Sequence, residues 1–517
     1  MTSVGPTFDR PYHPGHYAAL WPDKPAVLMA GTGEVVTYLE LEHRSAQLAR
    51  LLRARGLGVG DHIAVLMENH VRSLEVAFAA MRMGMYLTPI NWHLTADEAG
   101  YILDNSDARC LVTTRSHAPI ANALLPHMHK VEVRLMIGGS DGFENFEDAV
   151  AGCPDIALDD EVHGAAMFYS SGTTGRPKGI VRAVPNSPYG ATRPWPVLAD
   201  RYTLDESTVY LSPAPLYHAA PGGWTMMINQ LGGTNVVMDS FDASQVLELI
   251  ERHRVTHAQF VPTMFVRMLK LTAAQRAAHD LSSLRFAIHS AAPCPVEIKQ
   301  KMIEWFGPRI YEYYGSSEGG GSAAITPEEW LEHPGSVGKP ATVMHVVDEN
   351  GDEVPSGELG VLYAEGASFA YYNDPESTAN AFDDRGWVTV GDIGYVADSG
   401  YLYLSDRRDD MIISGGVNIY SREIEDVLLE HPAVLDAGVI GVANEEFGQE
   451  VKAVVQLVEG AQPTTTLADE IYAWCRERLA RFKCPRSIEF LDELPRLPSG
   501  KLLKRRLREL YDPATDS

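Results

Sequence analysis

The chain has 517 residues, 45% of them hydrophobic, and its 69 acidic and 43 basic side chains give a formal net charge of -26. Because a single hydrophobic core rarely grows beyond about 250 to 300 residues, this length predicts at least two domains. The acidic balance argues against a nucleic-acid surface, which needs clustered Lys and Arg, so any bound anion requires a local site.

The N-terminal residues 1–17 do not show the charged-then-apolar order of a secretory signal, and no run of about 18 apolar residues follows them. The five cysteines form no CxxC pair and no Cys/His cluster with metal-binding spacing. We therefore expect a cytoplasmic protein with reduced thiols and no integral membrane segment. Peripheral membrane contact, to collect an apolar substrate, stays open.

Strands and helices alternate through the first four-fifths of the chain. The β-rich run His62–Met67 precedes a helical apolar face from Val71 to Met81, and the apolar run Tyr86–Ile90 follows it. The same alternation returns at Cys110–Thr113, Val236–Met238, the helix Ala243–Arg252 and His257–Val261. Asp242 stands at the start of that helix, where it is predicted to be the N-cap. The pattern favours parallel sheets covered by helices.

The pattern of predicted strands and helices changes twice towards the C-terminus. Gly386–Leu404 has short β-rich runs separated by Gly and Asp-Ser-Gly turns, which is typical of antiparallel sheet. After Asp406–Asp410 comes a compact set, namely helices near Glu423–Leu429 and Leu467–Leu479 and strands near Val434–Val442 and Val451–Val458. We predict an α/β fold with a large N-terminal domain of parallel sheets and a β-unit (1–406), then a small mobile α+β domain (407–517).

The clearest motif is the run Tyr169–Gly179, which follows the apolar Ala165–Phe168. Its glycines allow backbone N–H groups to face an anion, and its hydroxyls and lysine add donors and charge for phosphate. The candidate phosphate ligands are Ser170, Ser171, Gly172, Thr173, Thr174, Gly175 and Lys178. The motif is not a Walker A loop, because Lys178 precedes a glycine rather than Ser or Thr. A flexible polar linker is the alternative interpretation.

Three later segments complete a pattern: Tyr313–Glu318, Gly391–Asp392 with Arg407, and Pro495–Lys501. With the loop at Tyr169–Gly179, they resemble in order the motifs of the adenylate-forming superfamily, which includes acyl-CoA synthetases, aryl-CoA ligases, peptide-synthetase adenylation domains and beetle luciferases. The resemblance covers nearly the whole chain. It implies an enzyme that activates a carboxylic acid with Mg-ATP as an acyl-adenylate and passes the acyl group to coenzyme A, releasing AMP and diphosphate.

The resemblance also implies roles for residues in the segment after residue 312. Tyr313, Tyr314 and Gly315 would line the adenine. Ser317 stands where the family usually has Thr and keeps the hydroxyl for the α-phosphate, and Glu318 would contact Mg²⁺, a hard cation that prefers carboxylate oxygen. The alternative interpretation of Glu318 is a surface residue of a Gly-rich loop.

Three further residues are implied to act on the nucleotide. Asp392 and Arg407 would contact the ribose, and Lys501 would lie between the carboxylate and the α-phosphate, where its charge offsets their repulsion. Taken alone, Asp392 reads as a turn residue, and Lys501 reads as one more solvated charge beside Lys504.

The second half-reaction has its own implied residues. Asp409 aligns with the pivot of the family, about which the C-terminal domain rotates. Gly415 and Gly416 align with the loop beside the pantetheine arm of CoA, and glycines permit the close approach of a narrow thiol arm. An ordinary glycine turn has the same sequence.

The identity of the acid is less constrained. Peptide-synthetase domains hold the substrate amino group with an Asp in the segment after the phosphate loop, but Pro215–Trp224 contains no acidic residue, which disfavours an amino acid. His218 in this segment either orients the acyl group or is a hydrogen-bonded core histidine.

Small residues near this segment suggest an acyl pocket. Gly222, Ala291 and Gly319 could line a roomy apolar tunnel beside Trp224, suited to fatty, aromatic or steroid side-chain acids. Glycine and methionine in a helix are, however, more often packing features. Two alternatives to a CoA ligase remain: an acyl-AMP ligase that loads a separate carrier protein, and a nucleotide-binding pseudoenzyme, against which the presence of both Glu318 and Lys501 counts.

Overall fold

The computed structural model describes residues 10–170, 176–348, 350–407, 410–414, 417–444, 447–496 and 502–511, without the side chains of residues 406, 407 and 418. Several predicted site residues lie outside these ranges, namely Ser171, Gly172, Thr173, Thr174, Gly175, Asp409, Gly415, Gly416 and Lys501. Within the described ranges, no helix is both long and apolar enough to span a bilayer.

The strands, in chain order, are β1 Pro25–Met29, β2 Val35–Thr37, β3 His62–Leu66, β4 Tyr86–Pro89, β5 Ala108–Thr114, β6 Val133–Ile137, β7 Glu144–Asn145, β8 Ala165–Ala166, β9 Phe168–Tyr169, β10 Gly179–Val181, β11 Val209–Ser212, β12 Thr234–Val237, β13 His257–Phe260, β14 Phe286–His289, β15 Ile310–Gly315, β16 Ser322–Ile325, β17 Ser336–Pro340, β18 Met344–Val347, β19 Gly360–Ala364, β20 Ala370–Tyr371, β21 Asp392–Val396, β22 Leu402–Arg407, β23 Ile412–Ser414, β24 Val417–Ile419, β25 Val434–Asn444, β26 Gly448–Leu457 and β27 Ser487–Phe490.

The α-helices are α1 Pro14–Leu20, α2 Tyr38–Ala54, α3 Val71–Arg82, α4 Ala96–Asn105, α5 Ala118–Ala123, α6 Phe146–Ala151, α7 Pro196–Arg201, α8 Ala219–Gln230, α9 Ala243–Arg252, α10 Pro262–Leu269, α11 Ala273–Arg276, α12 Val296–Phe306, α13 Pro327–Glu332, α14 Pro375–Asn380, α15 Ser421–Leu429, α16 Thr465–Arg478 and α17 Lys504–Tyr511.

The largest sheet joins a parallel half to an antiparallel half. Its order is β18-β19-β21-β22-β17-β16-β15-β14-β13-β11-β12-β1-β2 in the described part of the chain. From β12 through β11, β13 and β14 to β15 the strands run parallel, and from β15 outwards towards β18 they run antiparallel. Strand β15 therefore lies where the parallel sheet meets the predicted β-unit, and its end reaches Gly315.

A second sheet, with order β7-β6-β5-β3-β4-β8, is parallel throughout its described strands. Asn69, just after β3, ties this sheet to the first. Its amide donates to the carbonyls of Ala214 and Met238, and its oxygen accepts from Leu216 N at 2.8 Å. The C-terminal ends of strands from both sheets therefore meet, which is where ligands bind in open parallel sheets.

The C-terminal part of the chain forms its own sheet, with order β24-β23-β26-β25 and β27 beside β26. Strands β25 and β26 pair antiparallel from Val434 opposite Leu457 to Asn444 opposite Gly448. Buried side chains of these strands, α15 and α16 form a separate core cluster, which includes Ile424, Val439 and Ile471.

The fold class predicted from the sequence is confirmed: a large N-terminal α/β part with parallel sheets and an antiparallel β-unit precedes a smaller α+β part. The local prediction for Asp242 is also confirmed, since its side chain accepts a hydrogen bond from Gln245 N at 2.7 Å at the start of α9. The position of the domain boundary between residues 406 and 407 stays a prediction.

Candidate active site

A short hairpin brings the two ends of the predicted phosphate loop together. Strands β9 and β10 pair with Tyr169 opposite Gly179. Ser170 N donates to Lys178 O at 2.9 Å, and Lys178 N donates to Ser170 Oγ at 3.0 Å. A side chain at position 179 would place its Cβ only 2.9 Å from the Tyr169 ring, so this close approach requires glycine. The hairpin therefore fixes Ser170 beside Lys178.

A tyrosine that the sequence did not single out links this hairpin to Glu318. Strand β20 pairs with β10, with Tyr371 opposite Ile180. The Tyr371 hydroxyl donates to Glu318 Oε1 at 3.2 Å, and the Lys178 ammonium lies 5.0 Å from the centre of the Tyr371 ring. Burial and the neighbouring Glu318 carboxylate raise the pKa of Tyr371, so the phenol stays a proton donor.

Arg182 is a second residue at the site that the sequence analysis did not single out. It is the residue after β10, and its guanidinium donates to the Ser317 carbonyl at 2.6 Å. The chain then turns through Gly319, whose φ of 81° is left-handed and suits glycine, and Gly320 N donates to Ser316 Oγ at 2.9 Å. This turn directs the Ser317–Glu318 segment towards Lys178 and Tyr371.

Tyr313 and Tyr314 are adjacent in β15 but face opposite sides, because side chains alternate along a strand. The Tyr314 hydroxyl donates to Asp392 Oδ2 at 2.6 Å, whereas the Tyr313 hydroxyl accepts from Gln259 Nε2 at 2.7 Å. Asp392 is itself 9% exposed. The structure thus separates two residues that the motif had grouped, and only Tyr314 contacts the predicted ribose carboxylate.

Strand pairing relates the two residues predicted to contact the ribose. Asp392 lies opposite Arg407 in the antiparallel β21–β22 register. Gly391, the residue before Asp392, has a φ of 79°, and its N–H donates to Thr389 Oγ1 at 3.0 Å. The side chain of Arg407 is outside the described atoms, so this predicted contact is supported only by the position of its backbone.

His218 is the N-cap residue of α8 and is half-buried. Burial, helped by His93, lowers the pKa of His218 to about 3, so its imidazole is neutral at physiological pH. Among the described residues, its Nε2 atom has no hydrogen-bond partner. A buried nitrogen without a partner is costly unless water or a ligand satisfies it, and both interpretations of His218 stay predictions.

Gly222 lies one turn further along α8, in close contact with the backbone. A Cβ at this position would lie 2.4 Å from Leu216 O. The glycine borders a mostly apolar cavity of about 40 Å³, whose lining includes Met67, Leu74, Ala77, Phe168 and Met226. Ala291, another predicted acyl-pocket residue, follows β14 and adopts a left-handed φ of 72°, which is uncommon for a residue with a Cβ.

Predicted residues and Tyr371 fall into three groups of contacts or neighbours. Lys178, Tyr371 and Glu318 form one continuous set of contacts, Tyr314 and Asp392 form a second, and His218 and Gly222 lie together at the start of α8. No cluster of three or more His, Cys, Asp or Glu side chains suited to a metal occurs in the described ranges. Glu318 could contribute one carboxylate ligand to a divalent ion, because Mg²⁺ commonly takes other ligands from phosphate and water.

The chain is similar to known protein families and structures over nearly its whole length. The AMP-binding enzyme family model matches residues 16–371, and the model of the AMP-binding enzyme C-terminal domain matches residues 423–501. The chain is 35% identical to a feruloyl-CoA synthase from Amycolatopsis over 96% of this chain and 98% of that protein. It is 33% identical to the long-chain-fatty-acid–CoA ligase FadD13 of Mycobacterium tuberculosis over 96% and 97% of the two chains.

Among solved structures, the anthranilate CoA ligase AuaEII in complex with anthranoyl-AMP superposes with a TM-score of 0.83. The two proteins are 26% identical, and the alignment covers 100% of both chains. With both family models matched and relatives of this similarity aligned over nearly their whole length, the chain belongs to the AMP-binding enzyme family, as an AMP-forming acyl-CoA synthetase of the adenylate-forming superfamily.

Proposed function

We propose that the protein is an ATP-dependent carboxylic acid:CoA ligase whose adenylation site is built from the described residues around Glu318. The contact series from Lys178 through Tyr371 to Glu318 is the observation that carries this proposal. These contacts join the Lys178 cation, at the end of the phosphate loop, to the Glu318 carboxylate, which is suited to Mg²⁺. A bound triphosphate needs both a cation for its oxygens and a carboxylate for its metal ion, on opposite sides of the phosphates. Ser317 would add a hydroxyl donor for the α-phosphate.

The Tyr314–Asp392 pair is proposed to hold the ribose. A carboxylate accepts hydrogen bonds from sugar hydroxyls, and the hydroxyl of Tyr314 fixes the orientation of that carboxylate at 2.6 Å. Arg407, opposite Asp392 in the sheet, would add a donor. The ribose would therefore lie beside the contact between Tyr314 of β15 and Asp392 of β21.

Replacing Tyr314 with phenylalanine tests this arrangement. Loss of one oriented hydrogen bond worth about 1 kcal/mol should raise the KM for ATP roughly fivefold while changing kcat little. Tyr395→Phe, on the same β21 strand as Asp392, is the matched control and should keep the wild-type KM. Steady-state kinetics with varied ATP measure both, and an unchanged KM for Tyr314→Phe would count against the ribose assignment.

The chemistry is proposed to proceed in two displacements. A carboxylate oxygen of the acid attacks the α-phosphorus of ATP, the bond to the β-phosphate oxygen breaks, and diphosphate leaves. The CoA sulfur then attacks the acyl carbonyl carbon, and the carbonyl–oxygen bond to AMP breaks, leaving a thioester. When bound, Mg²⁺ neutralises phosphate charge during the first displacement. Splitting one hard step into two easier ones is the general advantage of such activation.

The protein groups divide between these steps. Lys178 and Ser317 would bind phosphate oxygens, and Lys501 is proposed to bring a positive charge between the attacking carboxylate and the α-phosphate. The C-terminal domain is proposed to rotate about Asp409 between the steps, so that Gly415 and Gly416 replace Lys501 beside the site.

Gly416→Trp tests the arrangement proposed for thioester formation, in which Gly415 and Gly416 lie beside the thiol arm of CoA. A bulky ring beside the thiol arm should reduce thioester formation at least about tenfold while leaving diphosphate release in the first turnover close to wild type. Rapid-quench measurement of acyl-AMP and acyl-CoA separates the two. A normal thioester yield from this variant would argue against the proposed path for CoA.

The function as a whole is tested by measuring AMP and diphosphate released by the purified protein with Mg-ATP and a panel of carboxylic acids, each with and without CoA. CoA-dependent AMP turnover with one class of acid is the expected result. Diphosphate released only to one equivalent and unaffected by CoA would indicate a carrier protein as acceptor. No release with any acid would contradict the proposal and favour nucleotide binding without turnover.

A further inference from the structure

Backbone pairing joins the chain just before residue 497 to the chain just after residue 501. Arg496 and Leu502 form an antiparallel bridge, and Leu503 N donates to Pro495 O at 2.8 Å. We call these four paired residues the stem. Residues 497–501 themselves lie outside the described ranges, but both of their neighbours in the chain belong to the stem.

A two-point ion pair holds the stem to strand β25. Arg496 Nε donates to Asp436 Oδ2 at 2.5 Å, and Arg496 Nη2 donates to Asp436 Oδ1 at 2.7 Å. Both side chains are mostly buried, with 19% of the arginine and 14% of the aspartate exposed. A bidentate pair fixes the relative orientation of its two groups as well as their distance. The stem therefore has a defined orientation against β25.

The face of β25 that carries Asp436 is shaped to fit the stem. Side chains at alternate positions of a strand share a face, so Gly438 and Ile440 lie on the same side as Asp436. A Cβ at position 438 would lie 2.7 Å from Leu502 Cδ2, so glycine leaves the space that this leucine fills. Ile440 belongs to a buried apolar cluster with Leu507 of α17. Charge, shape and apolar packing on one strand thus hold the stem.

The helix that follows the stem is anchored separately. Lys504, the first residue of α17, is 8% exposed, and its ammonium lies 2.9 Å from Glu425 Oε1. It also donates to the Ser421 hydroxyl. The Glu425 carboxylate in turn accepts from Val439 N at 2.8 Å. The charge of Lys504 is therefore committed to anchoring α17 on α15 and β25.

The position of the stem matters for the residue that precedes it in space and chain. Lys501 is bonded to Leu502, so its Cα lies about 3.8 Å from a Cα atom of the stem. A group that acts in a displacement loses about 10²-fold in rate when it is misplaced by about 1 Å. A buried ion pair gains little stability over apolar side chains of similar size, so the benefit of the Asp436–Arg496 pair lies in its geometry.

We propose that Asp436 and Arg496 are positioning residues for adenylation, because their ion pair fixes the stem from which Lys501 reaches the carboxylate and the α-phosphate. This inference rests on the proposed function, in which Lys501 serves only the first displacement. Asp436 and Arg496 act through Lys501 and make no contact with the reacting atoms.

Asp436→Asn tests the proposal, since it keeps the shape of the side chain and removes the charge that orients Arg496. We expect diphosphate release from ATP and acid to slow about 10- to 100-fold, mainly in kcat. Thioester formation from supplied acyl-AMP and CoA should keep its wild-type rate. Equal losses in the two half-reactions, or adenylation at the wild-type rate, would overturn the inference.

Glu489→Gln is the matched control. Glu489 lies on β27 of the same sheet, and its Oε1 atom is 3.5 Å from Lys452 Nζ. The variant therefore also removes one carboxylate charge from an ion pair of this sheet. Both half-reactions should stay within about twofold of wild type, as for other exposed pairs. A loss of adenylation equal to that in Asp436→Asn would overturn the specific role of the stem.

A double variant separates positioning from a general effect on folding. If Asp436 acts through Lys501, adding Asp436→Asn to Lys501→Ala should slow the residual adenylation by less than about twofold, because the group that it positions is already absent. A further loss as large as that of Asp436→Asn alone would overturn the inference. Unchanged adenylation in Lys501→Ala itself would instead contradict the proposed function.

Arg496→Lys covers the case in which Asp436→Asn does not fold. Lysine keeps the positive charge but cannot form the two parallel hydrogen bonds of a guanidinium. We expect a smaller loss of the same kind, about three- to tenfold in adenylation, with thioester formation unchanged. Adenylation at the wild-type rate in this variant, with its fold verified by thermal unfolding, would show that the bidentate pair does not position Lys501.

Discussion

Lys501→Ala should slow acyl-adenylate formation about 10³-fold, because a group that stabilises charge developing in a displacement contributes on that order. Thioester formation from supplied acyl-AMP and CoA should be largely retained, since the lysine is proposed to leave the site before the second step. Diphosphate release from ATP and acid measures the first half-reaction, and acyl-CoA formed from synthetic acyl-AMP measures the second. The expected outcome is that this one variant loses the first half-reaction and keeps the second.

Lys483→Ala is the matched control for this experiment. Lys483 also belongs to the C-terminal part of the chain, and its ammonium pairs with Glu423 at 2.6 Å on the surface. Such exposed pairs contribute at most about 1 kcal/mol to stability, so both half-reactions should stay near wild type. Equal loss of the two half-reactions in Lys501→Ala would contradict the role proposed for Lys501.

Glu318→Gln should lower kcat for adenylation about 10²-fold and raise the Mg²⁺ concentration needed for half-maximal rate. The change keeps the shape of the side chain and removes the charge that a hard cation prefers. Tyr371→Phe, which removes only the 3.2 Å hydrogen bond to Glu318, should produce a smaller change in the same direction. Initial rates across a Mg²⁺ titration measure both effects.

Glu332→Gln serves as the carboxylate control, because Glu332 is exposed at the end of α13 and away from the phosphate hairpin. Its Mg²⁺ dependence should match that of the wild type. If Glu318→Gln showed the same curve as Glu332→Gln, the proposed metal contact would be wrong, and the Tyr371–Glu318 hydrogen bond would be only a packing feature.

Local signals in the sequence were sufficient for several elements. The helix predicted at Ala243–Arg252 is α9, because its apolar period and its Asp242 cap both act within four residues. The physical determinant of α9 is therefore contained in the segment itself. For Tyr169–Gly179 the sequence predicted a phosphate loop, and the pairing of Tyr169 with Gly179 was not predicted.

Contacts between distant segments could not be read in this way. Tyr371 and Glu318 are 53 positions apart in the chain, and Arg182 and Ser317 are 135 positions apart. The pairing of β20 with β10 brings Tyr371 and Arg182 to the site. Strand alternation, fixed by the register of β15, turned Tyr313 away from Asp392 although the motif placed Tyr313 and Tyr314 together.

The expectation of a roomy tunnel beside Trp224 stays a prediction. Small residues in one helix do not reveal which rings pack against that helix from β11, β15 and the end of α7.

The most direct test of the central claim uses an acid labelled with ¹⁸O at both carboxylate oxygens. If the carboxylate attacks the α-phosphorus and CoA then breaks the carbonyl–oxygen bond, mass spectrometry should find one ¹⁸O atom in AMP, one in the thioester carbonyl and none in diphosphate. Unlabelled AMP, or label in diphosphate or inorganic phosphate, would contradict the acyl-adenylate pathway and with it the assignment of this site.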